Sequence, residues 1–349
     1  MAEIEGAGAL HSQWQNAGRA IPAGRVIVQR RGLLAVMASG VAAPALAQTA
    51  GWPQKPIRII APYPPGGTVD AVARLVQPGL QAELGVPVVV ENRAGAGGTL
   101  GTAAAARAAP EGQTFVFVFD SHVTNPALIP NPGYDSARDL APIALIGTTP
   151  LLIVTPAARA WRSFPEVVEA AHRGPPEAVS CATNGNGTMA HLVLAQMQGV
   201  LGVQFLHVPY PGGGPLATAA AGNQTDIAMG AAALSGHVAS GLVRALAQTG
   251  GRRSGKYPDL PTLTECGVPG IDAVSFLGVL APIATPGAIL QRFRDALVRA
   301  VEAPTTNAQL RGGLGFDLVM SEPATFGQFI ENQTAVWQRV VQDNRTRIE

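Results

Sequence analysis

The sequence predicts an α/β protein built as two lobes, and three observations carry that reading. Short apolar runs rich in β-branched residues alternate with longer stretches of helical periodicity, the order expected of a mostly parallel sheet wrapped by helices. Two extended stretches, 143–155 and 274–282, lie far apart in the chain, and each is long enough to run from one lobe into another. Four glycine-rich loops each follow a candidate strand and precede a candidate helix.

The first 31 residues carry Glu3, Glu5, Arg19, Arg25, Arg30 and Arg31 without apolar periodicity. Directly after the Arg30-Arg31 pair an apolar run reaches Ala47, and Ala45-Leu46-Ala47 supplies the small-x-small pattern of a cleavage site. Residues 1–47 therefore read as a cleavable export signal. The paired arginines suit the twin-arginine route, and Gln29 at the preceding position leaves the general route open. The run is interrupted by Ser39, Gly40 and Pro44 and falls short of the ~20 apolar residues that span a bilayer.

Candidate strands follow at 57–62, 86–91, 114–119, 143–155, 178–182, 204–208, 226–229, 243–249 and 274–282, apolar enough to be covered on both faces. Between the first two, Val69, Val72, Ala73, Val76, Leu80 and Leu84 recur at helical spacing, with Gly66-Gly67-Thr68 at the helix start and a kink expected at Pro78-Gly79. Ser163-Phe164-Pro165-Glu166 is a capping box that opens a helix. Two helices, 288–303 and 324–345, end the chain. The crossing stretches assign 52–149 plus 278–349 to lobe 1 and 150–277 to lobe 2.

The chain has 349 residues with 24 Lys+Arg against 23 Asp+Glu. Removing residues 1–47 takes away four arginines and two glutamates and leaves 20 basic and 21 acidic residues. Such neutrality without a basic block excludes the sustained attraction to phosphate backbones on which nucleic-acid binding depends. Cys181 and Cys266 lack metal-ligand spacing; export would allow a disulfide between them, and each reads equally as a small buried residue.

The loops at 62–68, 92–99, 184–188 and 210–215 would expose backbone N–H groups at the positive ends of helices, where an anion binds without lysine or arginine. Glycine and proline also serve tight turns, but four such junctions together point to a site. Between Glu177 and Asp226 lie 48 residues without one Asp, Glu, Lys or Arg. That stretch reads either as core or as a cleft wall that holds a carboxylate through neutral dipoles. Nucleotide motifs fail: Gly185-Asn186-Gly187-Thr188-Met189-Ala190 has no acid about 20 residues on, and Tyr257 stands where a P-loop after Gly250 to Lys256 needs Ser or Thr. Asp120-Ser121-His122 is readable as part of a nucleophile–base array, and more readily as hydrogen-bond donors to a bound acid.

In order along the chain, these features resemble the Bug/TctC family of solute-binding proteins of tripartite tricarboxylate transporters. The resemblance runs from Trp52 to about Pro323. It is carried by Trp52-Pro53 with Pro56-Ile57-Arg58, Pro65-Gly66-Gly67 with Asp70 and Ala73-Arg74, and 88–93 with 95–98. It continues through Gly187-Thr188 with His191-Leu192, His207-Val208-Pro209-Tyr210, Gly222 with Gln224 and Asp226, Pro261-Thr262 with 267–270, and Ala281-Pro282 with Thr285-Pro286.

The resemblance implies a two-lobed periplasmic binding protein (Venus-flytrap, type II-like) fold with a ligand cleft between lobes. It implies a monomer that captures a small organic acid for membrane permease subunits, without cofactor, metal or catalysis. The ligand-binding residues it implies are Tyr63, Gly66, Gly67, Thr68 and Asp70; Ser121, His122 and Asn125; Gly187, Thr188 and His191; Tyr210, Gly213, Gly214 and Pro215; and Asp226. An exported hydrolase, or the same fold acting as a sensor component, are the alternatives. The family pattern has a basic residue after Tyr210, an acid in the following helix and a glutamate after His-Leu-Ala-Gly, where this chain has Pro211, Ala219 and Ala195. A cleft stripped of these charges suits a mono- or dicarboxylate better than a citrate-like trianion.

Overall fold

A computed structural model describes residues 51–344. The expected export signal, 1–47, lies outside the described residues.

The strands are β1 (Ile57–Ala61), β2 (Val88–Asn92), β3 (Thr114–Val118), β4 (Leu140–Pro150), β5 (Leu152–Pro156), β6 (Ser180–Thr183), β7 (Leu206–Pro209), β8 (Ile227–Gly230), β9 (Val243–Gln248), β10 (Val274–Pro282) and β11 (Asp317–Leu318). The principal helices are α1 (Thr68–Leu84), α2 (Thr99–Ala106), α3 (Ser121–Leu128), α4 (Phe164–Arg173), α5 (Met189–Leu201), α6 (Gly213–Ala221), α7 (Gly287–Glu302) and α8 (Pro323–Asn344). The strands form two sheets, ordered β11-β4-β10-β3-β1-β2 and β7-β6-β8-β5-β9.

The sheets are mixed, which corrects the mostly parallel arrangement expected from composition. β1 runs parallel to β2 and β3, but β10 is antiparallel to both β3 and β4. The cause is the route of the chain. It leaves the first sheet at Pro150 and re-enters at Val274, directly opposite, so the returning strand must run backwards. In the second sheet β6 is parallel to β7 and β8, while β5 opposes β8 and β9. Burial on both faces makes a strand apolar whatever its direction, so composition carries no signal for this.

Two further expectations are corrected. The stretch 143–155 is broken at Leu151, which separates β4 in the first sheet from β5 in the second. The stretch 274–282 stays within the first sheet, and the return passes through residues 249–273. The two passages meet where Leu151 N–H donates to Thr249 Oγ1 and Thr249 N–H donates to Leu151 O, each at 2.9 Å.

Helix α1 buries the predicted stripe from Val69 to Leu84 and continues through Pro78. Pro78 lies on the exposed side, where water can take the carbonyl that loses its amide partner. At the start of α4 the Glu166 carboxylate accepts both the Arg162 N–H and the Ser163 hydroxyl at 2.9 Å, so Glu166 rather than Ser163 accepts the capping amide. Helices α7 and α8 are held to the first sheet by aromatic contacts. Phe115 stacks on Phe293 with centroids 3.6 Å apart, and Phe276 meets Phe326 and Phe329 edge-on. Burying each such ring contributes about 2–3 kcal/mol.

Candidate functional site

The carboxyl ends of β1, β2, β3, β6, β7 and β8 face a common cavity of about 390 Å³ between the two sheets, the edge of an α/β sheet where ligands lie. Its wall on the first-sheet side comes from Pro62 to Pro64, Gly67 to Val69, Ala94 to Gly98, Phe119 and Ser121. Its opposite wall comes from Asn184 to Asn186, Thr188, Tyr210 to Gly213, Leu216, Gly230, Ala231 and Ala233. No Asp, Glu, Lys, Arg or His is in this lining. Helices α1, α3, α5 and α6 all begin at it.

First-turn amides have no partner within their own helix. At α1 these are Thr68, Val69 and Asp70, and at α6, where Pro215 has no N–H, they are Gly213 and Gly214, since Ala71 and Leu216 are the first residues to bond back, to Gly67 O and Gly212 O. Each helix start carries about half a positive charge, so the two walls offer positive dipoles in place of cations. Gly212, before α6, has φ +106°, and a Cβ there would lie 3.3 Å from Pro64 Cδ. Only glycine takes that backbone without strain. Two residues further in, a Cβ on Gly214 would stand 3.4 Å from the carbonyl of Gly66, so the loops of the two sheets are nearly in contact.

Four lining hydroxyls have their protons committed inside the protein. Ser121 Oγ donates to Gly97 O at 2.9 Å, which makes the Tyr63 hydroxyl the donor in its 2.6 Å bond to Ser121. Burial, with Asp120 nearby, holds the Tyr63 phenol far above its ordinary pKa. Thr188 donates to Gly185 O at 2.8 Å and accepts the His191 N–H as the cap of α5. Tyr210 donates to Gln224 Oε1 at 3.1 Å. Of the lining hydroxyls, only that of Thr68 is left to join the backbone amides in meeting a bound carboxylate.

Tyr63, Gly67, Thr68, Ser121, Thr188, Tyr210 and Gly213 of the predicted set line the cavity, and the others stand behind it or apart. Asp70 accepts the Gly66 N–H at 3.0 Å and also holds Arg74 and Asn92, bracing the first loop. Asn125 Nδ2 donates to Gly97 O at 3.0 Å. Gly187 N–H donates to His191 Nδ1 at 3.0 Å, and the His191 ring stacks on His207 at 4.3 Å. His207 Nε2 shares a hydrogen with Thr183 Oγ1 at 2.7 Å. Burial lowers both imidazoles, His207 to about 4, so this buttress is neutral. Gly66, Gly214 and Pro215 belong to the same two loops just outside the lining.

His122 faces elsewhere. Its ring nitrogens engage Ser136 Oγ at 2.7 Å and Tyr134 OH at 3.3 Å, and burial lowers its pKa to about 4. Asp120, raised to about 6 by burial, accepts from Ser275 Oγ at 2.6 Å. Asp120, Ser121 and His122 therefore each serve a different partner and do not form a nucleophile–base array. Asp226 sits at the far end of β6, accepting from Ser180 N and Oγ and pairing with Arg159. Cys181 and Cys266 are free thiols. Among the described residues no group of three or more His, Cys, Asp or Glu could hold a metal, and no helix is long and apolar enough to cross a membrane.

Sequence reasoning placed none of Val69, Phe119, Leu216, Gly230, Ala231 or Ala233 in the site, and took 94–98 and 184–186 only as parts of candidate loops. A signal was present for some: Gly230-Ala231 ends a candidate strand with small residues, as the four recognised loops do.

The chain matches the family model of the tripartite tricarboxylate transporter family receptor, TctC, over residues 72–345. It is 33% identical to protein BugT of Bordetella pertussis over 318 residues, covering 90% of this chain and 96% of BugT. Among solved structures, periplasmic binding protein BugD is 28% identical with a TM-score of 0.79, over 85% of this chain and all of that one. R. palustris Rpa4515 with adipate is 26% identical with a TM-score of 0.80, over 86% of this chain and all of that one. Two mixed sheets facing a shared cavity, a family model spanning most of the chain and near-complete coverage by such neighbours lead to one conclusion: the chain is a two-lobed α/β protein of the TctC family, the solute-binding receptors of tripartite tricarboxylate transporters.

Proposed function

We propose that this protein, once exported, captures a small organic carboxylate between its lobes and delivers it to the permease subunits of a tripartite carboxylate transporter. The observation that carries the reading is the convergence of helix starts from both sheets on a cavity whose lining holds no charged side chain. Fixed N–H dipoles in a gap that excludes water replace the hydration of an anion, and they do so best for an acid of low charge. The adipate in Rpa4515 supports a small acid as ligand.

Contact with the acid falls to Thr68, Val69 and Gly213, with Tyr63, Gly67, Ser121, Thr188, Tyr210 and Gly214 shaping the walls. Asp70, Asn125, Gly187 and His191 act by positioning those loops. The lobes are 52–149 plus 278–349 and 150–277, with the second boundary moved to the start of β10 at Val274, and closure turns on the Leu151–Thr249 crossing. The ligand stabilises the closed form through its differential affinity for it. Pro211, Ala219 and Ala195 leave the site without added charge and favour a mono- or dicarboxylate over citrate. Residues 1–47 are removed on export, and the mature protein works as a monomer.

A thermal-shift screen of the mature protein against an organic-acid panel tests this reading. It predicts that succinate, adipate or benzoate-type acids raise the melting temperature in proportion to log concentration, and that citrate shifts it less. A panel without any stabilising acid would contradict it.

A further inference from the structure

We infer that the cavity selects acids with an apolar body, an aromatic ring or a medium-length carbon chain, over short polar acids such as succinate and malate. This deepens the carboxylate reading above and rests on it. The helix-start amides left for an anion lie in one corner. Those of α1 and α6 lack backbone partners, and the loops before them approach each other, with a Cβ on Gly214 falling 3.4 Å from the Gly66 carbonyl. The starts of α3 and α5 are engaged within the protein. At α3 the Ser121 amide bonds the Asp120 carboxylate, and the His122 and Val123 amides donate to Phe119 O and Asp120 O at 2.9 and 3.1 Å. At α5 the Gly187 amide donates to His191 Nδ1 at 3.0 Å and the His191 amide to Thr188 Oγ1 at 3.4 Å. Met189 and Ala190, the other first-turn residues of α5, lie outside the lining.

Away from that corner the accessible wall is mostly carbon. Tyr63, Pro64, Ala94, Ala96, Pro211 and Ala233 line the cavity, and none of them is buried. The Tyr63 hydroxyl is held by Ser121, so Tyr63 offers its ring. Ser121 and Thr188 keep their protons on Gly97 O and Gly185 O. Asn184 Oδ1 has almost no accessible surface, and Asn186 is engaged within the protein. The backbone of residues 94–97 is the further polar stretch, and its Gly97 carbonyl already accepts from Ser121 and Asn125. A hydroxyl or second acid group on the ligand would give up its water against this carbon surface, a cost that apolar atoms do not incur. Size agrees: at ~30 Å³ per water, the cavity of about 390 Å³ corresponds to about thirteen waters. A ring or a longer chain displaces more of them than a four-carbon acid and covers more of the wall.

Calorimetric titration of the mature protein with propionate, butyrate, pentanoate and hexanoate, and with benzoate, succinate and malate, tests this. Affinity is expected to rise about fourfold with each added methylene, with one ligand per protein and a heat-capacity change that grows more negative along the series. Hexanoate and benzoate are expected to bind about tenfold tighter or more than succinate and malate. Equal affinity along the chain series would overturn the inference. So would succinate or malate binding as tightly as hexanoate and benzoate, as when the amides of residues 94–97 or Asn184 Nδ2 take a second acid group. Either result would leave carboxylate capture standing. Binding of none of the acids would remove the carboxylate reading together with the inference.

Discussion

The hydroxyl of Thr124 on α3 donates to the carbonyl of Gly187 at the head of α5 across 3.0 Å, tying a helix of the first sheet to a ligand-side loop of the second. Both residues are buried. The loops of Gly66 and Gly214 also approach each other beside the cavity, so the lobes meet at two places and are hydrogen-bonded at the first.

Thr124→Val keeps the shape and removes the donor, leaving the Gly187 carbonyl without that partner. The expected result is a loss of about 1–2 kcal/mol in ligand affinity, most of it as faster dissociation, read by stopped-flow and calorimetry. Unchanged dissociation would mean that the latch does not belong to the ligand-retaining state.

Gly212→Ala places a Cβ on a backbone with φ +106°, a strain of about 1–3 kcal/mol. The start of α6 must shift to relieve it, and that shift moves the Gly213 and Gly214 amides. A drop in both melting temperature and affinity is expected. A drop in melting temperature alone would place α6 outside the binding surface.

The two predicted aspartates separate by position. Asp70→Asn weakens the acceptor that holds the Gly66 amide and Arg74, so affinity should fall several-fold together with stability. Asp226→Asn disturbs Ser180 and Arg159 at the opposite end of β6, and should lower the melting temperature while calorimetric affinity stays the same.

Acid should destabilise the fold. Burial lowers His122 and His207 to about 4 and lowers His191 as well, whereas an unfolded histidine titrates near 6.5. Between those values the unfolded chain takes up protons that the folded chain refuses, so this contribution is complete above about 6.5 and is lost as pH falls toward about 4. Asp120 opposes it: with its carboxyl raised to about 6 by burial, the folded state holds the extra proton between about 4 and about 6. Three imidazoles outweigh one carboxyl, so the melting temperature should be lower at pH 5 than at pH 7. His207→Gln should flatten the slope, and a slope unchanged by it would remove His207 from the account.

Much of this was legible because local rules decided it. Each of the nine apolar runs contains observed strand, and the stripe from Val69 to Leu84 is buried on α1 as its spacing required. The glycine loops reach the cavity because strand-to-helix junctions gather at one edge of a sheet. Direction was not legible: β10 is as apolar as a parallel strand, and only the meeting of Pro150 with Val274 turns it round. Side-chain aim was not legible either. Ser121 and His122 are neighbours in sequence, yet one lines the cavity and the other turns to Tyr134 and Ser136.

The most direct measurement compares an acid with its uncharged amide, benzoate against benzamide or adipate against adipamide, by calorimetry on the mature protein. If backbone dipoles at the helix starts neutralise an anion, the acid binds about a hundredfold tighter or more, since the charged hydrogen bonds exist only with it. Equal affinity for acid and amide would contradict the account.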